Sequence, residues 1–399
     1  MNMALKNTLW IISELFPPEE TSTGYIMGEI ANAMTQKYKV KVICGPEVYD
    51  EKKKSLCNNS QSIDQSIELI RVAPVKENKE SKLSRIKKFV LMSWQLYKIA
   101  RRKIKKGDRV LMVSNPFPLI VLMGYLRKHL DFNLFMLVHD IFPEGLYTEM
   151  NMPSWAYKIA EKVFNKAYSR VDTLISLGRD MNEVLETKCS NQKHQPKIVT
   201  IENWGDVEGI KPKDRVSDGI IKIQYAGNIG NAQGVGEMVE YLYEACNESL
   251  LFNIWGTGSA EDRIKGRVHE LNMEKCVRFN GPYSRSQQQE VLNDSDISLV
   301  TLVKGMYGLG VPSKTYNILA AGKPILYIGE KGTEIWQVVE DSGIGYCFEP
   351  DNSKGVVDLL KSLSIDNLPQ LKEMGTKART IVERNYSKDI ILKKFLEVV

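Results

Sequence analysis

Thirteen short apolar segments, each separated from the next by a stretch of helical periodicity or a loop, constrain this chain more than any other feature. Strands read near Leu9–Ser13, Lys39–Cys44, Leu69–Ala73, Arg109–Ser114, Leu134–Val138, Thr173–Ser176 and Ile198–Ile201, then near Ile221–Tyr225, Leu250–Trp255, Val277–Asn280, Ile297–Leu302, Pro324–Ile328 and Ile344–Phe348. Apolar runs this short, alternating with helices, are what a parallel sheet covered on both faces requires. The fold class is α/β. At 399 residues the chain exceeds one core, so two Rossmann-like domains are expected. Glu202-Asn203-Trp204-Gly205-Asp206 and the polar stretch to Gly219 read as the linker, giving domains over 1–203 and 204–384 and a terminal segment over 385–399.

Two glycine-rich loops follow strands in the second half. Gly308-Leu309-Gly310-Val311-Pro312-Ser313-Lys314 runs into a short helix and a Gly322-Lys323-Pro324 turn; Gly227-Asn228-Ile229-Gly230-Asn231-Ala232-Gln233-Gly234 runs into a helix near Val235. Small residues before a helix start offer backbone N–H groups and the positive end of the helix dipole, and Lys314 adds a full charge. Either loop alone could be an ordinary helix N-terminus. Together, at the carboxyl ends of parallel strands where such sheets bind ligands, they point to a nucleotide diphosphate.

These loops, with Ile254-Trp255-Gly256-Thr257-Gly258 and Val277-Arg278-Phe279-Asn280-Gly281-Pro282-Tyr283, stand in the order and spacing of the family-4 retaining glycosyltransferases, which the chain resembles over nearly its whole length. The nearest likeness is to bacterial members that build surface polysaccharides such as lipopolysaccharide and capsule, or other lipid-linked glycans. The resemblance implies the GT-B fold, two Rossmann-like domains with parallel sheets facing across a cleft, with Ser387–Val399 crossing back to the first domain. It implies a UDP-linked donor held by Gly227, Asn228, Gln233, Gly256, Gly258, Pro282, Tyr283, Gly310, Ser313, Lys314 and Asn317, with Lys314 also acting in catalysis.

In the first domain, Phe16-Pro17-Pro18 through Thr23-Gly24 resembles the family loop near donor phosphate and acceptor, so Thr23 and Gly24 are the expected acceptor contacts; an ordinary turn capped by Thr21 or Ser22 fits the same residues. His139-Asp140 ends a strand. A lone histidine there is structural or functional. The resemblance implies contact of His139 with the donor sugar, with Asp140 orienting it or binding acceptor.

The chain also departs from the family. Where many members have Arg and Lys beside the diphosphate it has Asn228 and Gln233, and where many have two glutamates it has Leu309 and Asn317. Lys314 is the expected substitute cation, and Asn317 the expected ribose contact. Asp294-Ser295-Asp296 has metal-site spacing but sits before a strand, where acids cap and turn, so no metal cofactor is expected. Gly256-Thr257-Gly258 lacks the third glycine of a dinucleotide fingerprint.

Charge is regional. Lys76 to Arg109 holds thirteen Lys or Arg against three acids, although the chain's net charge is only +5. Within it, apolar and aromatic residues recur at helical spacing. Such a helix suits an anionic membrane, where each basic residue adds ~1 kcal/mol of attraction; it equally suits a core helix with a solvated face. Nucleic acid is disfavoured, since no recognition motif accompanies the charge. The six cysteines show no metal-ligand pairing, no apolar run reaches bilayer length, and Leu9–Ile12 is too short for a leader, so a cytoplasmic protein peripheral to the inner membrane face is expected.

The expected function is transfer of a hexose or N-acetylated amino sugar from a UDP donor to a glycan or polyprenyl-diphosphate-linked acceptor. A non-catalytic nucleotide-binding or membrane-partner protein of the same fold is the alternative, motivated by Asn228, Gln233 and Leu309.

Overall fold

A computed structural model describes residues 7–19, 21–47, 61–75, 82–150 and 152–399. The chain divides into two compact units, one of Met1–Glu202 with Gly308–Gly310 and Leu392–Val399, the other of Asn203–Tyr307 with Val311–Ile391.

The first unit holds strands β1 (Thr8–Ser13), β2 (Lys39–Cys44), β3 (Glu68–Arg71), β4 (Arg109–Val113), β5 (Asn133–Leu137), β6 (Thr173–Ser176) and β7 (Lys197–Thr200), with helices α1 (Ser22–Met34), α2 (Lys82–Lys103), α3 (Pro118–His129), α4 (Glu144–Met150), α5 (Ser154–Tyr168) and α6 (Arg179–Ser190). Its sheet is parallel, in the order β3-β2-β1-β4-β5-β6-β7. The order reverses between β1 and β4. Leu9, Ile11 and Ile12 of β1 and Val110 to Val113 of β4 are fully buried, as strands covered on both faces must be.

The second unit holds β8 (Ile221–Ala226), β9 (Leu250–Trp255), β10 (Val277–Gly281), β11 (Ile297–Thr301), β12 (Ile325–Ile328) and β13 (Gly345–Phe348), with α7 (Val235–Ala245), α8 (Glu261–Glu270), α9 (Gln288–Asn293), α10 (Lys314–Ala320), α11 (Glu334–Ser342), α12 (Ser353–Ser362) and α13 (Leu368–Asn385); α14 (Lys388–Val398) closes the chain. The parallel order is β10-β9-β8-β11-β12-β13, reversing between β8 and β11. Alternation along β8 separates two cores. Ile221, Ile223 and Tyr225 join one with α7, α8 and α12, while Ala226 joins the other with α10, α11 and α13.

Every strand expected from the sequence is present to within two residues at each end. The stretch after residue 203 is not a free linker. Ile210 is buried in the second unit, Arg379 donates to the carbonyls of Val207, Ile210 and Ala320 at 2.6–2.8 Å, and Arg215 pairs with Asp296 at 2.7 Å. The end of α14 belongs to the first unit: Tyr38 Oη donates to Val399 O at 2.9 Å and Lys394 pairs with Glu202 at 2.6 Å. The five described cysteines are free thiols; Cys57 and residues 76–81 of the basic segment lie outside the described residues. Among the described residues no helix is long and apolar enough to cross a membrane.

Candidate functional site

Within the first unit, the carboxyl end of β5 gathers four of the expected residues. Ser114, just past β4, accepts the backbone N–H groups of His139 (3.1 Å) and Asp140 (3.2 Å) on its hydroxyl, turning the chain out of the sheet. Asn115 Nδ2 donates to Asp140 Oδ2 at 2.7 Å. Thr23 Oγ1 lies 3.2 Å from His139 Nδ1. If the threonine hydroxyl donates, Nε2 carries the ring proton and is a donor; in the other tautomer it is an acceptor. Nε2 is buried with no hydrogen-bond partner among the described residues. Burial pulls the imidazole down to about 4, so it is neutral at physiological pH.

Gly310 pairs with Asp140 in an antiparallel bridge, and a Cβ on it would stand 3.1 Å from His139 O. This stretch corrects one expectation. Gly308 N–H does not await an anion; it donates to Asp180 Oδ2 at 3.2 Å. Gly24 has a local role in the fold. Thr23 and Gly24 lie in the first turn of α1, capped by Thr21, whose Oγ1 takes the Gly24 N–H at 3.0 Å. A side chain at Gly24 would meet Glu19 O at 2.7 Å, so the close approach the glycine permits is to its own chain.

The second unit gathers a different group. After β8, Gly227 adopts φ +154°, and Lys314 Nζ lies 3.8 Å from where its Cβ would be. The same Nζ stands over the Tyr225 ring, 3.5 Å from the centroid. It is shielded from solvent and meets no hydrogen-bond acceptor among the described residues. The aromatic face offers partial compensation, yet burial still draws the ammonium down to about 7. A cation held in this way is poised for an anion. Trp255 Nε1, at the end of β9, is a second buried donor with no partner among the described residues.

Gly256 and Gly258 are there for packing. A Cβ at Gly256 would fall 1.8 Å from Gly227 O and one at Gly258 2.2 Å from Ile229 O, so only glycines let the two loops lie back to back. Tyr283 stacks edge-on against Trp255 at 6.1 Å, beside the exposed Pro282. Asn228 and Gln233, standing where a cation pair was absent, are 3.4 Å apart and hydrogen-bonded to each other. Asn317 Oδ1 accepts the Asp206 N–H at 2.9 Å, tying α10 to the segment after residue 203. Ser313 caps nothing with its side chain, and α10 spans only seven residues, so Lys314 outweighs the helix dipole here. The carboxylates of Asp294 and Asp296 are taken by Lys222 and Arg215.

Sequence reading missed Glu330. Its Oε2 accepts three consecutive backbone N–H groups, from Gly305, Met306 and Tyr307, at 2.8–2.9 Å, holding the segment after β11 as an anion would. No spacing links position 330 to this loop; it is only the fold that ends β12 beside it. Glu330→Ala should cost roughly 1.5–3 kcal/mol and several degrees of Tm, with Glu330→Gln recovering much of it. A thermal melt in which both variants match the native protein would remove the cradle from the account.

The model of the family described as glycosyl transferases group 1 matches residues 206–381. The probable glycosyltransferase WbjE of Pseudomonas aeruginosa is 31% identical over 409 aligned positions, covering 98% of this chain and 97% of the relative. The putative colanic acid biosynthesis glycosyl transferase WcaI of Escherichia coli is 26% identical over 57% of this chain and 56% of its own. Among solved structures, sucrose-phosphate synthase from Thermosynechococcus elongatus superposes with a TM-score of 0.75 at 12% identity, and Anabaena HepE in complex with UDP with 0.68 at 13%, each over 98% of both chains. At such identities these two likenesses concern the fold, two Rossmann-like domains of the GT-B kind.

Proposed function

This chain belongs to the group 1 glycosyltransferases, and we propose that it moves a hexose or N-acetylated amino sugar from a UDP donor to a glycan or polyprenyl-diphosphate-linked acceptor, with retention at the anomeric carbon. The observation that carries this reading is Lys314: a buried ammonium without an acceptor, beside the Gly227 loop at the switch point of the second sheet. HepE, solved with UDP, and WcaI, named for colanic acid, support the donor class and a surface polysaccharide as product.

In the proposed reaction the bond from the anomeric carbon to the β-phosphate oxygen breaks as the new bond to the acceptor oxygen forms on the same face. The acceptor's proton passes to the departing diphosphate. Negative charge grows on that leaving group, and Lys314 is the residue proposed to stabilise it. His139, neutral and with Nε2 unpaired, is proposed to hold a hydroxyl of the transferred sugar. Asp140 and Thr23 are proposed to orient His139 or meet the acceptor, and Asn317 to reach a ribose hydroxyl. Gly227, Ser313, Pro282 and Tyr283 are proposed to line the donor site of the second unit. Transfer without a metal belongs to the same reading: UDP release from the preferred donor should be unchanged by EDTA, and loss of activity that Mg²⁺ restores would overturn this part.

A peripheral place on the inner face of the cytoplasmic membrane goes with a lipid-linked acceptor, and α2 supports it. Lys87, Lys98, Arg101 and Arg102 are exposed and have no acidic partner among the described residues, whereas Lys88 is buried. Changing those four to Gln should release the protein from phosphatidylglycerol-containing vesicles while UDP binding survives. Retention of the variant on the vesicles would remove α2 from the interface.

A further inference from the structure

Of the twelve large apolar side chains that stand exposed among the described residues, eight lie on α2 to α5. The two most exposed of these eight, Trp155 and Ile159, are on α5. Trp155 is 70% exposed, Ile159 58% and Val163 43%, and they follow at i, i+4 and i+8. At 100° per residue they span one arc of the helix, and Lys158, Lys162 and Lys166, all exposed, fall within or beside it. The opposite side of α5, with Phe164, Ala167 and Tyr168, is buried. No acidic partner of those three lysines occurs among the described residues. Helix α3 packs against both α2 and α5, and Val90, Leu91 and Trp94 of α2 and Tyr125 of α3 are exposed as well. The three helices together carry thirteen Lys or Arg and a single acid, Glu161.

We propose that the Trp155-Ile159-Val163 stripe of α5 is a membrane-insertion element that buries its side chains at the headgroup–acyl boundary of an anionic bilayer, with Lys158, Lys162 and Lys166 against the lipid phosphates. The proposal rests on the inner-leaflet reading above and deepens it: α2 supplies attraction, α5 supplies apolar depth. Charge selects the occupant. A second copy of this chain would bring two strongly basic faces together, while an apolar ligand would leave the lysines without counterions. Long lysine stems flanking a Trp and branched aliphatic residues suit an interface where one end is apolar and the other wet.

The test is co-sedimentation of the full chain with phosphatidylcholine vesicles and with mixed phosphatidylglycerol/phosphatidylcholine vesicles, at low and high salt. Alongside it, the emission of Trp155 is isolated by difference from Trp155→Phe and quenched with brominated acyl chains. The native protein should bind the mixed vesicles, keep part of that binding at high salt, and show a blue-shifted, quenched Trp155. Replacing Trp155, Ile159 and Val163 together by Ser should lower partitioning about a hundredfold at low salt and abolish the salt-resistant fraction. If that variant misfolds, the Trp155 emission of the native protein still decides. Native binding that salt removes completely, with unshifted Trp155 emission, would overturn insertion while leaving the α2 attraction standing. Failure of the native protein to bind mixed vesicles at low salt would overturn both. Equal affinity for a soluble polyanion with no Trp155 shift would reassign the face to polyanions and overturn the proposal.

Discussion

Lys314→Ala is expected to weaken UDP binding by roughly ten- to a hundredfold while leaving uridine binding within a few-fold, because a charge-assisted contact to phosphate is worth about 1.5–3 kcal/mol and the nucleoside lacks that partner. The geometry makes the prediction specific. Nζ is buried against the Tyr225 ring with no acceptor among the described residues, so the native protein already bears the cost of burying it. The alanine variant should therefore melt no lower than the native protein. pH supplies a second signature. Burial holds the amine near 7, and a bound diphosphate favours the charged form, so affinity for an intact UDP-sugar should be greatest below about pH 7 and decline as pH rises above it. Binding in that upper range should take up a proton. Lys314→Ala should flatten the slope and abolish the uptake. Calorimetry in buffers of different ionisation enthalpy measures both, and equal losses for UDP and uridine would take Lys314 out of the phosphate site.

His139→Ala is expected to lower turnover by about a hundredfold or more, with UDP affinity changed only a few-fold, since removing one polar contact to a reacting sugar commonly costs that much. Its fold contribution is small: one hydrogen bond of 3.2 Å to Thr23 and an unpaired Nε2. A melt within a few degrees of native should accompany the kinetic loss. With the imidazole held near 4 by burial, it stays neutral from about pH 5 upward and gives the rate profile no limb near 6.5. In stability the sign is opposite to that of a salt-bridged histidine. As pH falls from about 6.5 toward 4, the unfolded chain takes a proton that the fold refuses, so His139 destabilises the native state in that window and the alanine variant should lose less stability there. Native turnover in His139→Ala would make the residue structural.

The strands were legible because burial on both faces forces short apolar runs with turns between them, a pattern that survives without knowing any contact. His139 and Thr23 were legible as separate candidates, and the structure brings them within hydrogen-bonding distance. What could not be read were contacts between residues far apart in the chain. Nothing marks Glu330 as the acceptor for residues 305–307 or Asp180 as the partner of Gly308. Side-chain facing was equally hidden. Lys88 and Lys87 are indistinguishable in sequence, yet one is buried and the other exposed. A stripe such as Trp155-Ile159-Val163 reads as a core face by its period alone; only the fold shows that α5 buries its other side.

Retaining transfer from a UDP-sugar is read by supplying the purified protein with a panel of UDP-hexoses and UDP-N-acetylhexosamines and a polyprenyl-diphosphate-linked glycan acceptor, then following UDP release and the product's anomeric configuration by NMR. At least one α-linked UDP donor should be consumed, and the new linkage should be α. An inverted linkage, or transfer from another nucleotide's sugars but from no UDP-sugar, would contradict it.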